Sequence, residues 1–397
     1  MTGTTGLAWV DCDNHVYESD DCFTRFIEPR FADRAVNVVR DPGNPRGRIH
    51  LGDRPLGYMP DKIGDFTPAA GAIYDLGDLD AIRAVEKVHR RDNPAWFDRD
   101  ARLAVMDDLG IQATILFPTN ALQNPTELMD DVEVGFANLR SYNRWLDEEW
   151  GFSHRDRLFA APVLNLADVD LAVAELDSVL DRGARVVNLM SVEPGVGRPA
   201  LGDPRCAPFW ERVHTAGIAV AMHGAPTAYH DLYSPLGRLT PRAETTPFQN
   251  LLSNRALLDS LSSLLLSDVF VRFPGLRVVT VESGAWWVGP LLEMLDHCRQ
   301  GTGRDAPKHT PSELFRRHVY VNPFEYEVGA LVPMLGADRI CMGSDYPHPE
   351  GVGGPDAYRA SLDGLPEDQI DLIMGGNTAG LLGIVREARP TPAAARA

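Results

Sequence analysis

Leu7-Ala8-Trp9-Val10-Asp11-Cys12-Asp13-Asn14-His15 is the stretch on which the fold turns. Its four leading apolar residues read as a buried strand, and its polar residues fall at the strand's C-terminal end. Side chains alternate faces along a strand, so Asp11, Asp13 and His15 are expected to project together. A carboxylate and an imidazole two residues apart at a strand end form a two-point chelate for a divalent ion. A buried Asp–His hydrogen-bonded pair is the alternative. Three comparable strand ends further along the chain favour the chelate.

Working outward, short apolar and β-branched runs recur at 113–117, 158–164, 186–190, 218–222, 276–281, 319–321 and 339–342. With the first run they make eight. Amphipathic helical patterns lie between most of them, such as 167–180, where Leu171, Val173, Leu176, Val179 and Leu180 share a face. Gly110, Gly183, Gly217 and Gly336 stand where helices should stop. Eight buried strands alternating with helices predict an α/β fold, a (β/α)8 barrel of the TIM type with a long insertion after its first strand. A doubly wound open sheet is the alternative, but it calls for a Gly-rich turn after the first strand, and Asp13-Asn14-His15-Val16-Tyr17 offers none. One domain is expected over 1–385, with an insertion at 18–98 and a loop at 225–249, followed by a frayed tail at 386–397. Both extra segments leave from C-terminal strand ends, where barrels keep their chemistry, so they read as lid and substrate wall, or else as a subunit interface.

The composition narrows the partners. A formal net charge of −18 argues against nucleic acid and anionic membranes, but not against a small anionic substrate met by a metal and a few arginines. Five cysteines without regular spacing suggest no disulfide framework and a reducing compartment. No apolar run reaches membrane-spanning length and no signal-peptide pattern opens the chain, so the expected address is the cytoplasm.

Comparing strand ends assembles a constellation. The fifth ends in Met222-His223-Gly224, the sixth in Val281-Glu282-Ser283-Gly284, and the eighth in Gly343-Ser344-Asp345-Tyr346-Pro347-His348. A lone histidine is more often a hydrogen-bonded core residue than a ligand. Four titratable ends at equivalent barrel positions are harder to dismiss. Asp13, His15, His223 and Asp345 supply two nitrogens and two carboxylates for one divalent ion with room for water. No Gly-x-Ser-x-Gly elbow, phosphate loop or paired Cys-x-x-Cys appears, which disfavours serine hydrolases, NTPases and structural zinc.

These motifs, with Leu109-Gly110-Ile111-Gln112-Ala113, Phe273-Pro274-Gly275-Leu276 and Gly376-Asn377-Thr378-Ala379, give the chain a resemblance to the amidohydrolase superfamily, in the branch of aminocarboxymuconate-semialdehyde and resorcylate decarboxylases. The resemblance covers positions 10 to 384. It implies a distorted barrel holding one divalent metal, zinc or manganese, and association as a homodimer or higher homo-oligomer. Two departures stand out. The first position of the common His-x-His motif is Asp13, which shifts preference toward a harder ion such as manganese. Where many relatives carry a histidine base at the end of the sixth strand, this chain has Glu282, which serves as a base only if burial raises its pKa. The fourth strand, Arg185-Val186-Val187-Asn188-Leu189-Met190, lacks the bridging Lys or Glu of binuclear members, which argues against a second metal.

The resemblance points to a non-oxidative decarboxylase of an aromatic or unsaturated carboxylic acid, with Asp345 or Glu282 delivering the proton. A metal-dependent hydrolase of an amide, lactone or ester is the alternative, and a barrel reduced to a binding or assembly subunit is a second. His348, His230, Arg238 and Arg242 are the expected contacts to an acidic substrate.

Overall fold

The computed structural model describes residues 7–40, 46–56, 63–64, 66–73, 79–121, 128–191, 198–224, 254–299, 308–324, 328–352 and 354–388. The first strand, Trp9–Val16, pairs in parallel with the second, Ile111–Pro118, which pairs in turn with Leu158–Ala160. A second parallel sheet runs Val163–Leu164, Val186–Leu189, Ala219–His223, Arg277–Val281 and Val319–Val321. The expected third strand is thus broken at Ala161-Pro162. Ala161 N–H still donates to Leu116 O (2.9 Å), while Pro162, which has no N–H, accepts from Asn188 (2.9 Å) and joins the second sheet.

The expected eighth strand is extended chain rather than a regular strand. Cys341 N–H donates to Val321 O and Cys12 N–H to Met342 O, both at 2.9 Å, but Met342 N–H turns away to Ile373 O. Isolated bridges, Val321 with Ile340 and Asn14 with Tyr346, tie this segment to the seventh and first strands. Hydrogen bonds therefore pass from each of eight segments to the next, with the seams beside the eighth held by bridges instead of ladders.

The strand interiors follow period two. Val10, Cys12, Ala113, Ile115, Phe117, Ala219, Ala221, Val279, Val281 and Cys341 form one fully buried inner cluster. Outside it a larger apolar layer packs the helices onto the strands. The helix expected at 167–180 is Val169–Asp181, N-capped by Asp168, whose side chain accepts from Leu171 N–H (3.0 Å).

The insertion carries more structure than its turn-rich sequence suggests. Val36–Arg40 and Arg46–Leu51 form an antiparallel pair extended by Arg54–Pro55 and Ile63–Gly64, and Phe66–Pro68 pairs with Lys87–His89. Asn138, on the helix Val132–Glu149, fastens it by accepting from Val36 N–H (2.7 Å) and donating to Arg34 O (3.1 Å). Gly71 and Ile73 donate to His348 O and Pro349 O, which lays the insertion across the loop after the eighth segment. Residues 386–388, expected to fray, are tied back to the chain's start by hydrogen bonds, and 389–397 lie outside the described residues. Arg386 donates to Ala8 O (2.8 Å) and pairs with Asp371 (2.8 Å), and Leu7 bridges Ala388. The loop at 225–249, with His230, Arg238 and Arg242, lies outside the described residues.

Candidate metal centre

Parity along the first strand does not hold as the sequence suggests. Val10 pairs with Ala113 and His15 with Phe117, but Asp11 and Asn14 are three positions apart where their partners, Thr114 and Leu116, are two apart. One extra residue in one strand is a bulge, and it reverses which face the following side chains occupy. His15 therefore faces inward with Phe117, and Asp11 does not share its face. Asp13 sits within the bulge and reaches the same interior. On the fifth strand no irregularity intervenes, and His223 continues the inward parity of Ala219 and Ala221.

Four of the expected residues meet there. His15 Nε2 lies 3.1 Å from His223 Nε2, 3.4 Å from Asp13 Oδ1 and 3.2 Å from Asp345 Oδ1. His223 Nε2 lies 3.5 Å from Asp13 Oδ1. Glu282 Oε2 approaches both imidazoles, 3.4 Å from His223 and 3.7 Å from His15. His15 Nδ1 faces Pro118 O at 2.9 Å and His223 Nδ1 faces Gly224 O at 3.1 Å. A carbonyl only accepts, so each neutral ring carries its proton on Nδ1 and presents the Nε2 lone pair to the other. Neither carboxylate oxygen of Asp13 or of Asp345 has an aligned hydrogen-bond donor, and both side chains are fully buried. Buried anions left so are costly unless a cation joins them. Facing lone pairs and orphaned carboxylates make a donor set that could hold a divalent ion, and Asp13, His15, His223 and Glu282 are close enough to share one.

Charge reinforces the geometry. Burial works to raise the Asp13 pKa, but His15 and His223 outweigh it and hold the carboxyl below the usual range. Burial likewise opposes the charge on His15, and the Asp13 and Asp345 carboxylates overcome it and raise its pKa. Burial, then the charges of Asp345 and Asp13, push Glu282 well up.

Tight turns bring these ends together. Glu282 and Asp345 have φ of +46° and +57°, a left-handed backbone costing on the order of 1–3 kcal/mol in a non-glycine residue. Asn322, at the end of the seventh strand, accepts from Glu282 N–H (3.2 Å). Gly224 follows His223 because a Cβ there would lie 2.0 Å from Glu282 O. Gly343 stands where a Cβ would come within 2.6 Å of Asp13 Cβ and 2.5 Å of Asn322 Nδ2.

The structure and the sequence expectation part company over three side chains. His348, expected to touch substrate, stacks on His15 at 4.0 Å with Nδ1 2.7 Å from Asp345 Oδ1 and Nε2 3.0 Å from Thr119 Oγ1, so both nitrogens face protein atoms. Asp11 turns to Ser344 and Asn14 instead of the metal set. Arg90, which no motif marks, lies in the insertion with its guanidinium 4.2 Å above the Tyr17 ring, itself 6.0 Å from His348. Its buried Nε has no hydrogen-bond partner, and among the described residues no carboxylate pairs with it.

A family model described as amidohydrolase matches residues 10–384. The chain belongs to the amidohydrolase family. Membership makes it a metal-dependent carboxy-lyase or hydrolase. The chain is 33% identical to a solved amidohydrolase from Mycobacterium avium subsp. paratuberculosis K-10, over 95% of this chain and 99% of that one, with a TM-score of 0.87. Two further structures share the fold at lower identity. One is 5-carboxyvanillate decarboxylase from Sphingomonas paucimobilis, at 22% identity over 72% and 82% of the two chains and a TM-score of 0.55. The other is dihydroxybenzoic acid decarboxylase from Polaromonas sp. JS666, with bound manganese and the inhibitor 2-nitroresorcinol, at 16% identity over 95% and 97% and a TM-score of 0.59. No helix among the described residues is long and apolar enough to cross a membrane.

Proposed function

We propose that this amidohydrolase is a mononuclear non-oxidative decarboxylase of an aromatic carboxylic acid, with manganese or zinc held by Asp13, His15, His223 and Asp345. The observation that carries the metal reading is the pair of Nε2 lone pairs 3.1 Å apart beside two orphaned carboxylates. Two aspartates in the set favour the harder ion, manganese. Once bound, the ion supplies a Lewis acid for the substrate's carboxylate and a neighbouring oxygen.

Decarboxylation exchanges a C–C bond for a C–H bond, so one proton must reach the ring carbon. In this reading Glu282 delivers it. Its carboxyl reaches both imidazoles and is 17% exposed, whereas Asp345 is fully buried. Arg90 supports an acidic substrate. A guanidinium with no counter-ion among the described residues, stacked one ring away from His348, suits an anionic group. Arg238 and Arg242, expected from the sequence in the same role, lie outside the described residues.

The test is a panel of hydroxybenzoic acids given to manganese-loaded protein, with released carbon dioxide measured beside hydrolysis of aryl esters and lactones. Turnover of ortho-hydroxy acids is expected, and Arg90→Met should raise their KM by about 10–100-fold, the worth of a hydrogen bond to a charged group. Ester or lactone hydrolysis without carbon dioxide release from any acid would replace this reading with the hydrolase.

A further inference from the structure

We propose that Asp11 is a positioning residue for the metal centre, a staple that sets the spacing of the Asp13 and Asp345 carboxylates without touching the ion. The inference rests on the metal reading above. Asp11 is fully buried, and four donors converge on it. Its Oδ1 accepts from Asp13 N–H (3.0 Å) and Ser344 N–H (3.0 Å). Its Oδ2 accepts from Ser344 Oγ–H (2.6 Å) and Asn14 Nδ2 (2.8 Å). One donor comes from a metal-site residue itself, and the others come from the residues directly beside Asp13 and Asp345. One carboxylate thus holds the first strand to the eighth segment where the two ligands diverge.

The location makes this consequential. The eighth segment has no regular ladder to fix its distance from the first strand, and Asp345 adopts a left-handed backbone that must be held. The bulge removes the ordinary pairing at Asp13 at the same point. Beside Asp11, the backbone bonds across this seam among the described residues are three: Cys12 N–H to Met342 O, Asp345 N–H to Asp13 O and His15 N–H to Tyr346 O. The carboxylate's charge is answered through one intermediary. The fully buried Arg102 donates to Asn14 Oδ1 (3.1 Å), to His15 O (2.8 Å) and to Ala95 O (2.8 Å). Arg102 therefore ties the staple to the backbone of His15 and to the end of the insertion. Supports of this kind behind metal ligands typically change affinity by roughly 10–100-fold when removed.

The test measures metal affinity on the full chain. Protein stripped by chelator is titrated with Mn2+, free ion being followed by its EPR signal, and near-UV circular dichroism reports the fold. Asp11→Asn keeps the shape but turns an amide donor toward Asn14 Nδ2 and leaves Arg102 without its counter-charge. It should raise Kd for Mn2+ by roughly 10–100-fold with the fold intact. Ser344→Ala removes one bond and should shift Kd the same way by less. Asn143→Ala is the control, because Asn143 is another buried staple, bonded to Val163 and Glu175 and remote from the ligands. It should lower Tm and leave Kd alone. A folded Asp11→Asn protein with wild-type Kd overturns the proposal. If Asp11→Asn does not fold, Ser344→Ala decides, and wild-type affinity there overturns it equally. Wild-type protein that takes up no Mn2+ or Zn2+ defeats the metal reading itself, a result distinct from either.

Discussion

Two imidazole nitrogens 3.1 Å apart, each turned toward the other by a carbonyl behind it, repel unless a cation lies between them. His15→Ala and His223→Ala are therefore each expected to abolish bound metal while leaving a folded chain, read by metal analysis of purified protein alongside circular dichroism. Full occupancy in either variant would remove it from the ligand set. Glu282 tests the chemistry instead of the binding. Glu282→Gln keeps size and most hydrogen bonding but cannot act as an acid or base at neutral pH, so turnover should fall roughly 10²–10⁴-fold with metal retained. Near-normal turnover would make Glu282 structural, and lost metal would make it a ligand. At this scale the sequence was informative because the residues sit where strand runs end, which apolar patterning marks. Arg90 was not legible. Its meaning lies in the want of a counter-ion among the described residues and in Tyr17 beneath it, and no local pattern records either.

The elements show why position was read better than direction. Runs such as 113–117 and 218–222 became strands because alternation and β-branched content fix them within one segment. The bulge between Asp11 and Asn14 could not be foreseen, since it exists only in register with the second strand. Nor could the irregular eighth segment, whose Met342 N–H is diverted to a helix residue far along the chain. Its Gly343 carries a prediction. A methyl group there would press Asp13 Cβ at 2.6 Å and Asn322 Nδ2 at 2.5 Å, closer than carbon atoms tolerate. Gly343→Ala should destabilise the fold by about 1–3 kcal/mol, as overpacked cores do, and weaken metal binding because Asp13 is what must move. Denaturant unfolding and Mn2+ titration check the two parts. Unchanged Kd beside lowered stability would show that Asn322 yields instead.

Taken as a whole, the molecule draws its proposed ligands from the first, fifth and eighth segments, which are not all neighbours in the ring. An ion there bonds across the interior, while the seams beside the eighth segment rest on isolated bridges. Buried carboxylates with no donor make the metal-free fold the more strained state. Because the assembled donor set is absent from the unfolded chain, binding free energy adds to folding free energy. Free metal at about 100 times Kd should add ~2.7 kcal/mol to stability, and the gain should grow logarithmically with concentration. Thermal unfolding after chelation, then after return of Mn2+ or Zn2+, should show Tm fall and recover, while His223→Ala stays insensitive to both treatments. Hydrogen exchange should locate the difference, with amides of 340–346 and 12–15 losing protection first in the metal-free protein, since their seam lacks a ladder. Indifference of the wild-type Tm to chelator and to added metal alike would mean that the facing imidazoles are held by protons, and the barrel would then have to be understood without an ion at its centre.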